Sequence, residues 1–246
     1  MASSRFPNKP MAKINGMPMI GHVYHRARMC KNLSDVYVAT CDKIIIDYVT
    51  SIGGKAILTK NTHETASERI AEAFQIINTS NLISYNSIML IQGDEPLLNP
   101  IVLDEMIGFH NNKSSGGITN LICEINDIDI FNDPNVVKVV KNKDGRILYF
   151  SRSAIPYNFK GKNKIFKWKQ TGLILFDIQA LEIYAKYNIS ELEKVESVDM
   201  NRALENNIII NAYPVKEMSH AVDIPEDIII VSELMVKDIL TKLYLN

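Results

Sequence analysis

Ser87-Ile88-Met89-Leu90-Ile91-Gln92-Gly93-Asp94-Glu95-Pro96 is a continuous apolar run that stops abruptly on a polar turn. A short run without alternation predicts a strand buried on both faces, as in parallel sheets. Asn99-Pro100 follows in cap and first-turn order, so a helix starts there. The same rhythm holds upstream. Met19 to Cys30 reads as a helix whose inner face is Ile20, Val23, Tyr24 and Ala27, with Arg26 and Lys31 pointing elsewhere. Val36 to Ala39 is a short strand that stops at Thr40-Cys41-Asp42. Ile44 to Ile52 is a helix closed by Gly53-Gly54, and Ala56 to Leu58 is another strand. Thr65 or Ser67 caps a further helix with Ile70, Ala73, Phe74 and Ile77 inside. Alternating short strands and amphipathic helices predict an α/β fold built on a largely parallel, doubly wound sheet.

Downstream the pattern changes. Val136 to Val140 and Arg146 to Phe150 flank Asn142-Lys143-Asp144-Gly145, a β-hairpin signal with Asp-Gly in the turn. Gly172 to Phe176 and Ile208 to Ile210 read as strands. Ser190 to Glu205 reads as one carboxylate-rich helix, and Pro225 to Leu243 as a closing helix. No Gly/Ser/Pro-rich linker divides the chain. The expectation is a single domain over residues 1–246, carrying an inserted β-rich lobe from about residue 125 to 215.

The totals narrow the function. The 246 residues are 46% hydrophobic and 22% charged, which suits a globular core. A net charge of −1 argues against a nucleic-acid surface or a polybasic membrane patch. No apolar run nears the roughly 20 residues needed to span a bilayer, and no secretory signal is visible. Three scattered cysteines, Cys30, Cys41 and Cys123, suit a reducing cytoplasm better than a disulfide framework. The five histidines have no zinc-type spacing, and packing or surface roles are expected for His22 and His25.

Four segments could carry chemistry. Ser3-Ser4-Arg5-Phe6-Pro7-Asn8-Lys9-Pro10 puts two hydroxyls and two cations in a proline-braced loop. Fixed cationic donors suit a polyphosphate, although a solvated tail has the same composition. Asp94 lies beyond the carboxyl end of the buried strand, where open α/β sheets bind ligands. It is a hard oxygen ligand for Mg²⁺, which takes one or two carboxylates plus phosphate oxygens. Thr65-Ala66-Ser67-Glu68-Arg69 opens a helix that could receive a base or phosphate, or could simply be a capped start. Asp223, in Val222-Asp223-Ile224-Pro225-Glu226-Asp227, is a further candidate ligand; spacing does not separate that from a cap for the helix starting at Pro225, and the cap is favoured.

Taken in order, Ala2 to Pro10, Asn15 to Ile20, Val38-Ala39-Thr40, Gln92 to Pro96, Tyr149 to Arg152 with Ile155-Pro156, and Val222 to Asp227 resemble the 3-deoxy-manno-octulosonate (Kdo) cytidylyltransferase family. The resemblance runs from residue 1 to about 235. It implies a Rossmann-like nucleotidyltransferase with a dimerising, sugar-binding β-rich lobe, acting as a homodimer on CTP and an acidic sugar with Mg²⁺. The sugar's anomeric hydroxyl would attack the α-phosphate and displace pyrophosphate. By resemblance, Arg5, Lys9 and Asp94 are catalytic. Ser3, Ser4, Arg5, Lys9, Ser67, Arg69 and Gln92 face the nucleotide. Arg152, Gln170, Glu196 and Asp199 face the sugar. Asp94 and Asp223 hold the metal, which replaces the cap reading of Asp223.

Three departures stand out. The family begins with an apolar strand ending in Pro-Ala-Arg, whereas this sequence starts inside the loop that follows. The expectation is that a central strand and an arginine precede Met1, and that a chain lacking them would be less stable and less active. Gln170 stands where the family has histidine, and Asp199-Met200 where it has Glu-Gln. This predicts a modified or amino-substituted 2-keto sugar acid rather than ordinary Kdo. Ala66 stands where the family has glycine, from which no functional conclusion follows. Two other readings remain: a cytidylyltransferase for another acid or a phosphonate, and a catalytically silent nucleotide-binding homologue.

Overall fold

The computed structural model describes residues 6–80, 84–113, 117–161 and 166–245. A 3-10 turn, Lys9–Met11, leads into a hairpin of β1 (Lys13–Ile14) and β2 (Met17–Pro18). Asn15 and Gly16 close it at φ 48° and 89°, which an Asn-Gly pair adopts readily. The elements that follow are α1 (Met19–Arg28), β3 (Tyr37–Thr40), α2 (Lys43–Ser51), β4 (Lys55–Leu58), α3 (Ala66–Ser80), β5 (Ser87–Ile91), α4 (Pro100–Asn111) and β6 (Ile118–Glu124). Then come α5 (Ile128–Asn132), β7 (Lys138–Lys141), β8 (Ile147–Ser151), β9 (Trp168–Asp177), α6 (Ile178–Tyr184), α7 (Glu191–Glu196), α8 (Met200–Glu205), β10 (Ile210–Val215) and α9 (Asp227–Lys237).

The residues group into two compact units. One comprises Met1–Thr79, Gln92–Ile107 and Ser219–Asn246, and the other Ser80–Ile91 and Gly108–Met218. In the first, β3 and β4 form a parallel pair. Ile20, Ile45 and Val49 pack between α1 and α2, joined by Val38 and Ala56 from the two strands. A second apolar cluster joins Ile14 and Met19 to Val222, Val231 and Met235, so it ties the first hairpin to the C-terminal segment. Arg26, expected to point away from the apolar face, is instead 1% exposed. Burial is tolerated because its donors find acceptors. They reach the Leu98 carbonyl at 3.2 Å, Thr241 Oγ1 at 2.9 Å, Tyr244 Oη at 3.2 Å and the Asp238 carboxylate. His22 is buried beside it and bonds Tyr244 Oη and the Ile14 carbonyl. Both histidines on α1 thus pack: His25 stacks on the Tyr244 ring.

The second unit holds a six-stranded mixed sheet, in order β10-β6-β9-β7-β8, with β5 on β9. β5, β6 and β10 run in one direction, as the β/α alternation requires. The expectation of a largely parallel sheet fails here because β9 lies antiparallel between β5 and β6. β9 is long enough to pair with β5 through residues 173–177 and with β7 through 168–169. β6 is buried from Ile118 to Cys123, as befits a central strand. The Asp-Gly hairpin forms as read, with β7 and β8 antiparallel and Gly145 at φ 85°.

Other boundaries differ from the sequence reading. Ser190 to Glu205 is two helices, α7 and α8, because Ser197 turns left-handed at φ 51°. The strand expected at Ile208 to Ile210 lies at Ile210–Val215. The closing helix covers Asp227–Lys237, followed by a 3-10 turn at Thr241–Leu243. Among the described residues, β3 pairs only with β4 and β5 only with β9, and no helix is long and apolar enough to cross a membrane.

Candidate active site

The first unit brings three of the expected residues together. Asn8, left-handed at φ 57°, and Pro10 start the 3-10 turn that aims Lys9. The turn is closed by the Met11 N–H on the Asn8 carbonyl at 2.9 Å, and the Met19 N–H bonds Ala12 O at 2.8 Å. Lys9 Nζ donates to Asp94 Oδ2 at 2.9 Å and to the Val222 carbonyl at 2.9 Å. It lies 3.9 Å from Asp223 Oδ1. The Lys9 side chain is 13% exposed and that of Asp94 23%, whereas Asp223 is 61% exposed. The contact is therefore partly shielded from water, which strengthens it.

Asp94 is placed by the chain leaving β5. A side chain at Gly93 would meet Ile20 Cδ1 at 3.2 Å, so the backbone there runs close to α1. The Val222 N–H donates to the Asp94 carbonyl at 2.9 Å, which clamps the 222–223 segment to the 94 turn. Asp223 does not cap a helix. Asp227 Oδ2 instead accepts the N–H groups of Asp223 (2.8 Å) and Ile224 (3.0 Å), and its Oδ1 pairs with His220 at 3.0 Å. Desolvation pushes the Asp227 carboxyl up, but these donors outweigh it and hold it below its ordinary value. Neither Asp227 nor the Val222 carbonyl was singled out from sequence. Asp227 could have been, as the fourth residue after Asp223, but a backbone acceptor leaves no compositional trace.

Ser3, Ser4 and Arg5 lie outside the described residues. Ser67 and Arg69 sit at the start of α3. Thr65 is the cap there, its Oγ1 accepting the Glu68 N–H at 3.2 Å. Ser67 is fully buried, and its Oγ has no partner among the described residues. Arg69 Nη1 donates to Thr59 Oγ1 at 2.7 Å and to the Lys60 carbonyl at 3.0 Å, so it braces the loop after β4. Gln92 is exposed.

The four residues assigned to the sugar belong to the second unit. Arg152 donates to the carbonyls of Glu196 (2.6 Å), Pro134 (3.0 Å) and Ser197 (3.1 Å). The Glu196 carboxylate accepts from the Ser151 hydroxyl (2.6 Å), the Arg152 N–H (2.8 Å) and the Tyr149 hydroxyl (3.0 Å). Arg152 and Glu196 thus form one network that ties β8 to the end of α7. Gln170 Nε2 donates to Asn120 Oδ1 at 3.0 Å, beside the register shift between β6 and β9. Asp199 stands just before α8, at its N-cap position, half-buried. Met200 next to it is fully buried in the core, so its thioether is a packing group. Fully buried, Met200 presents no group to a sugar and is no sign of an altered one.

Mg²⁺ can be weighed on the donor set. Among the described residues no three His, Cys, Asp or Glu side chains group as metal ligands. Two hard carboxylates converging on one cation fit Mg²⁺, which draws its remaining ligands from phosphate and water.

The lysine and the two aspartates thus meet past the end of β5, of which only Leu90 is buried rather than the whole strand expected from its apolar run. A family model described as Cytidylyltransferase matches residues 1–218, and the chain belongs to that family of enzymes. It is 39% identical over 233 residues to the 3-deoxy-manno-octulosonate cytidylyltransferase of Thermodesulfovibrio yellowstonii, covering 92% of this chain and 91% of the relative. It is 38% identical over 231 residues to the 8-amino-3,8-dideoxy-manno-octulosonate cytidylyltransferase of Shewanella pealeana, with the same coverage. Among solved structures it resembles a CMP:2-keto-3-deoxy-manno-octonic acid synthetase complexed with CTP. The TM-score is 0.87 at 32% identity, over 96% of this chain and 95% of that one.

Proposed function

We propose that the enzyme transfers CMP from CTP to a 2-keto-3-deoxy octulosonic acid, with Asp94 and Asp223 holding Mg²⁺. The observation that carries this is the convergence of Lys9, Asp94 and Asp223 beyond β5 in a chain of the cytidylyltransferase family. The C2 hydroxyl oxygen of the sugar bonds the α-phosphorus, and the bond from that phosphorus to the bridging oxygen breaks. Pyrophosphate departs with the electron pair, and the hydroxyl proton passes to solvent. Bound Mg²⁺ supplies neutralisation of phosphate charge. Lys9 supplies a positioned ammonium for the triphosphate, the 94–222 clamp keeps the two carboxylates in register, and α3 with Arg69 supports the nucleotide side.

For the sugar we propose the amino-substituted acid over Kdo itself. Gln170, an amide in place of the family's imidazole, supports this; the relatives include enzymes named for Kdo and for the 8-amino acid alike. We also propose a cytoplasmic homodimer. Three free cysteines suit a reducing compartment. Tyr157 (83% exposed), Phe159 (87%) and Val195 (83%) leave apolar surface on the β-rich unit that a second copy would cover.

Pyrophosphate release from CTP and Mg²⁺ tests the proposal, with Kdo, its 8-amino form and other sugar acids compared. Turnover of the 8-amino acid well above Kdo is expected. Efficient use of Kdo would refute the altered sugar, and no turnover of any acid would refute CMP transfer. Sedimentation analysis tests the dimer.

A further inference from the structure

The two carboxylates proposed for the cation both face one positive charge, that of Lys9. Lys9 Nζ lies 2.9 Å from Asp94 Oδ2 and 3.9 Å from Asp223 Oδ1, and the Val222 carbonyl is its second hydrogen-bond acceptor. This ammonium relieves the repulsion between the two acids, while the Val222 N–H on the Asp94 carbonyl sets their spacing. A divalent cation held by these two carboxylates would sit close to the ammonium, and like charges so close repel.

We infer that Lys9 is a built-in counter-ion, occupying the Asp94–Asp223 pair until metal and nucleotide arrive and then moving to the phosphates. The inference rests on the metal assignment proposed above. Its consequence is thermodynamic. Cation alone competes with Lys9 for Asp94, so it binds weakly. Nucleotide offers Lys9 new acceptors, so nucleotide and cation strengthen each other's binding by the same factor. The two-carboxylate donor set acts in the same direction, since phosphate oxygens complete it.

Mn²⁺ binding to the full chain without nucleotide, read by electron paramagnetic resonance of free Mn²⁺, tests this. Lys9→Met should bind Mn²⁺ about ten-fold or more tightly than wild type. Lys9→Arg, which keeps the charge, should bind as wild type does. Adding CTP should tighten wild type by a larger factor than Lys9→Met. If Lys9→Met binds no more tightly, while Asp94→Asn in that background still loses Mn²⁺, the counter-ion role is overturned and the metal assignment stands. If Asp94→Asn leaves Mn²⁺ affinity unchanged, the metal assignment itself falls, and the inference with it. The unmutated chain gives a second readout that does not depend on a variant folding. Amine labelling of Lys9, followed by mass spectrometry, should rise as Mn²⁺ is added without nucleotide. Labelling that Mn²⁺ does not change overturns the inference.

Discussion

Lys9 and Asp94 are 85 positions apart, and Lys9 and Val222 are 213 apart, yet all three meet at one ammonium. Asp94→Asn removes the strongest of these contacts and one proposed metal ligand. We expect CMP transfer to fall by about a hundred-fold or more, with little change in unfolding temperature. Pyrophosphate release beside thermal unfolding checks both halves. Glu196 is the second informative residue. Burial would raise its carboxyl, but the Arg152 N–H and the Ser151 and Tyr149 hydroxyls outweigh it and hold it below the ordinary value. A folded pKa lower than the unfolded one stabilises above the ordinary carboxylate pKa of about 4.3. That contribution is lost as pH falls through the lower folded value. Glu196→Gln should therefore cost about 1–2 kcal/mol at pH 7 and clearly less at pH 3. Urea titrations at the two pH values measure this, and an equal cost at both would show that the ionised form is not the stabilising one. At this scale Asp94 was legible, because strand-end position and acidity coincide in one short motif. Asp223 was not legible from spacing, which favoured a helix cap, whereas in the fold its carboxylate approaches Lys9.

Among elements, the α7–α8 pair departs most from its sequence pattern. The run from Ser190 to Glu205 carries no glycine or proline, so it reads as one helix. It breaks at Ser197, which lets the chain fold back so that Arg202 reaches Glu193. Arg202 Nε and Nη2 bond the two Glu193 oxygens at 2.6 and 2.5 Å, with the side chains 3% and 6% exposed. Glu193 also completes a capping box with Ser190 at the start of α7. Glu193→Ala leaves a buried guanidinium without its partner, and a loss of about 3–5 kcal/mol is expected in chemical denaturation. Gly117 is a second constraint of this kind. It has φ 104°, and an added Cβ would lie 2.5 Å from the Ile209 carbonyl oxygen. Because the obstacle is backbone, Gly117→Ala should cost about 2 kcal/mol or more, measurable in the same way. The β10 boundary has a related cause. Ile208 and Ile209 are as apolar as Ile210, but the parallel ladder with β6 begins at Ile210 opposite Ile118. Register, not hydrophobicity, decides where that strand starts.

Over the whole molecule, the Lys9–Asp94–Asp223 cluster lies within one compact unit and the Arg152–Glu196 network within the other. Ligand linkage offers a test on the intact chain. CTP with Mg²⁺ at about 100 times Kd adds roughly 2.7 kcal/mol to the state that binds it. For a chain of this size that raises the unfolding temperature by about 5–10 °C. Thermal scans with and without ligand should show this rise in wild type and lose most of it in Asp94→Asn. The sequence alone determined the alternation of strands and helices, the Asp-Gly hairpin, the strand-end Asp94 and the membership that its ordered motifs announce. These are local signals, set by periodicity, turn chemistry and short spacing. Only the tertiary structure decided that β9 enters antiparallel between β5 and β6, that Arg26 is buried, that Met200 packs in the core, and that Asp223 turns to Lys9. Each of these depends on partners far away in sequence, and a side chain's neighbours across the fold leave no imprint on its own spacing.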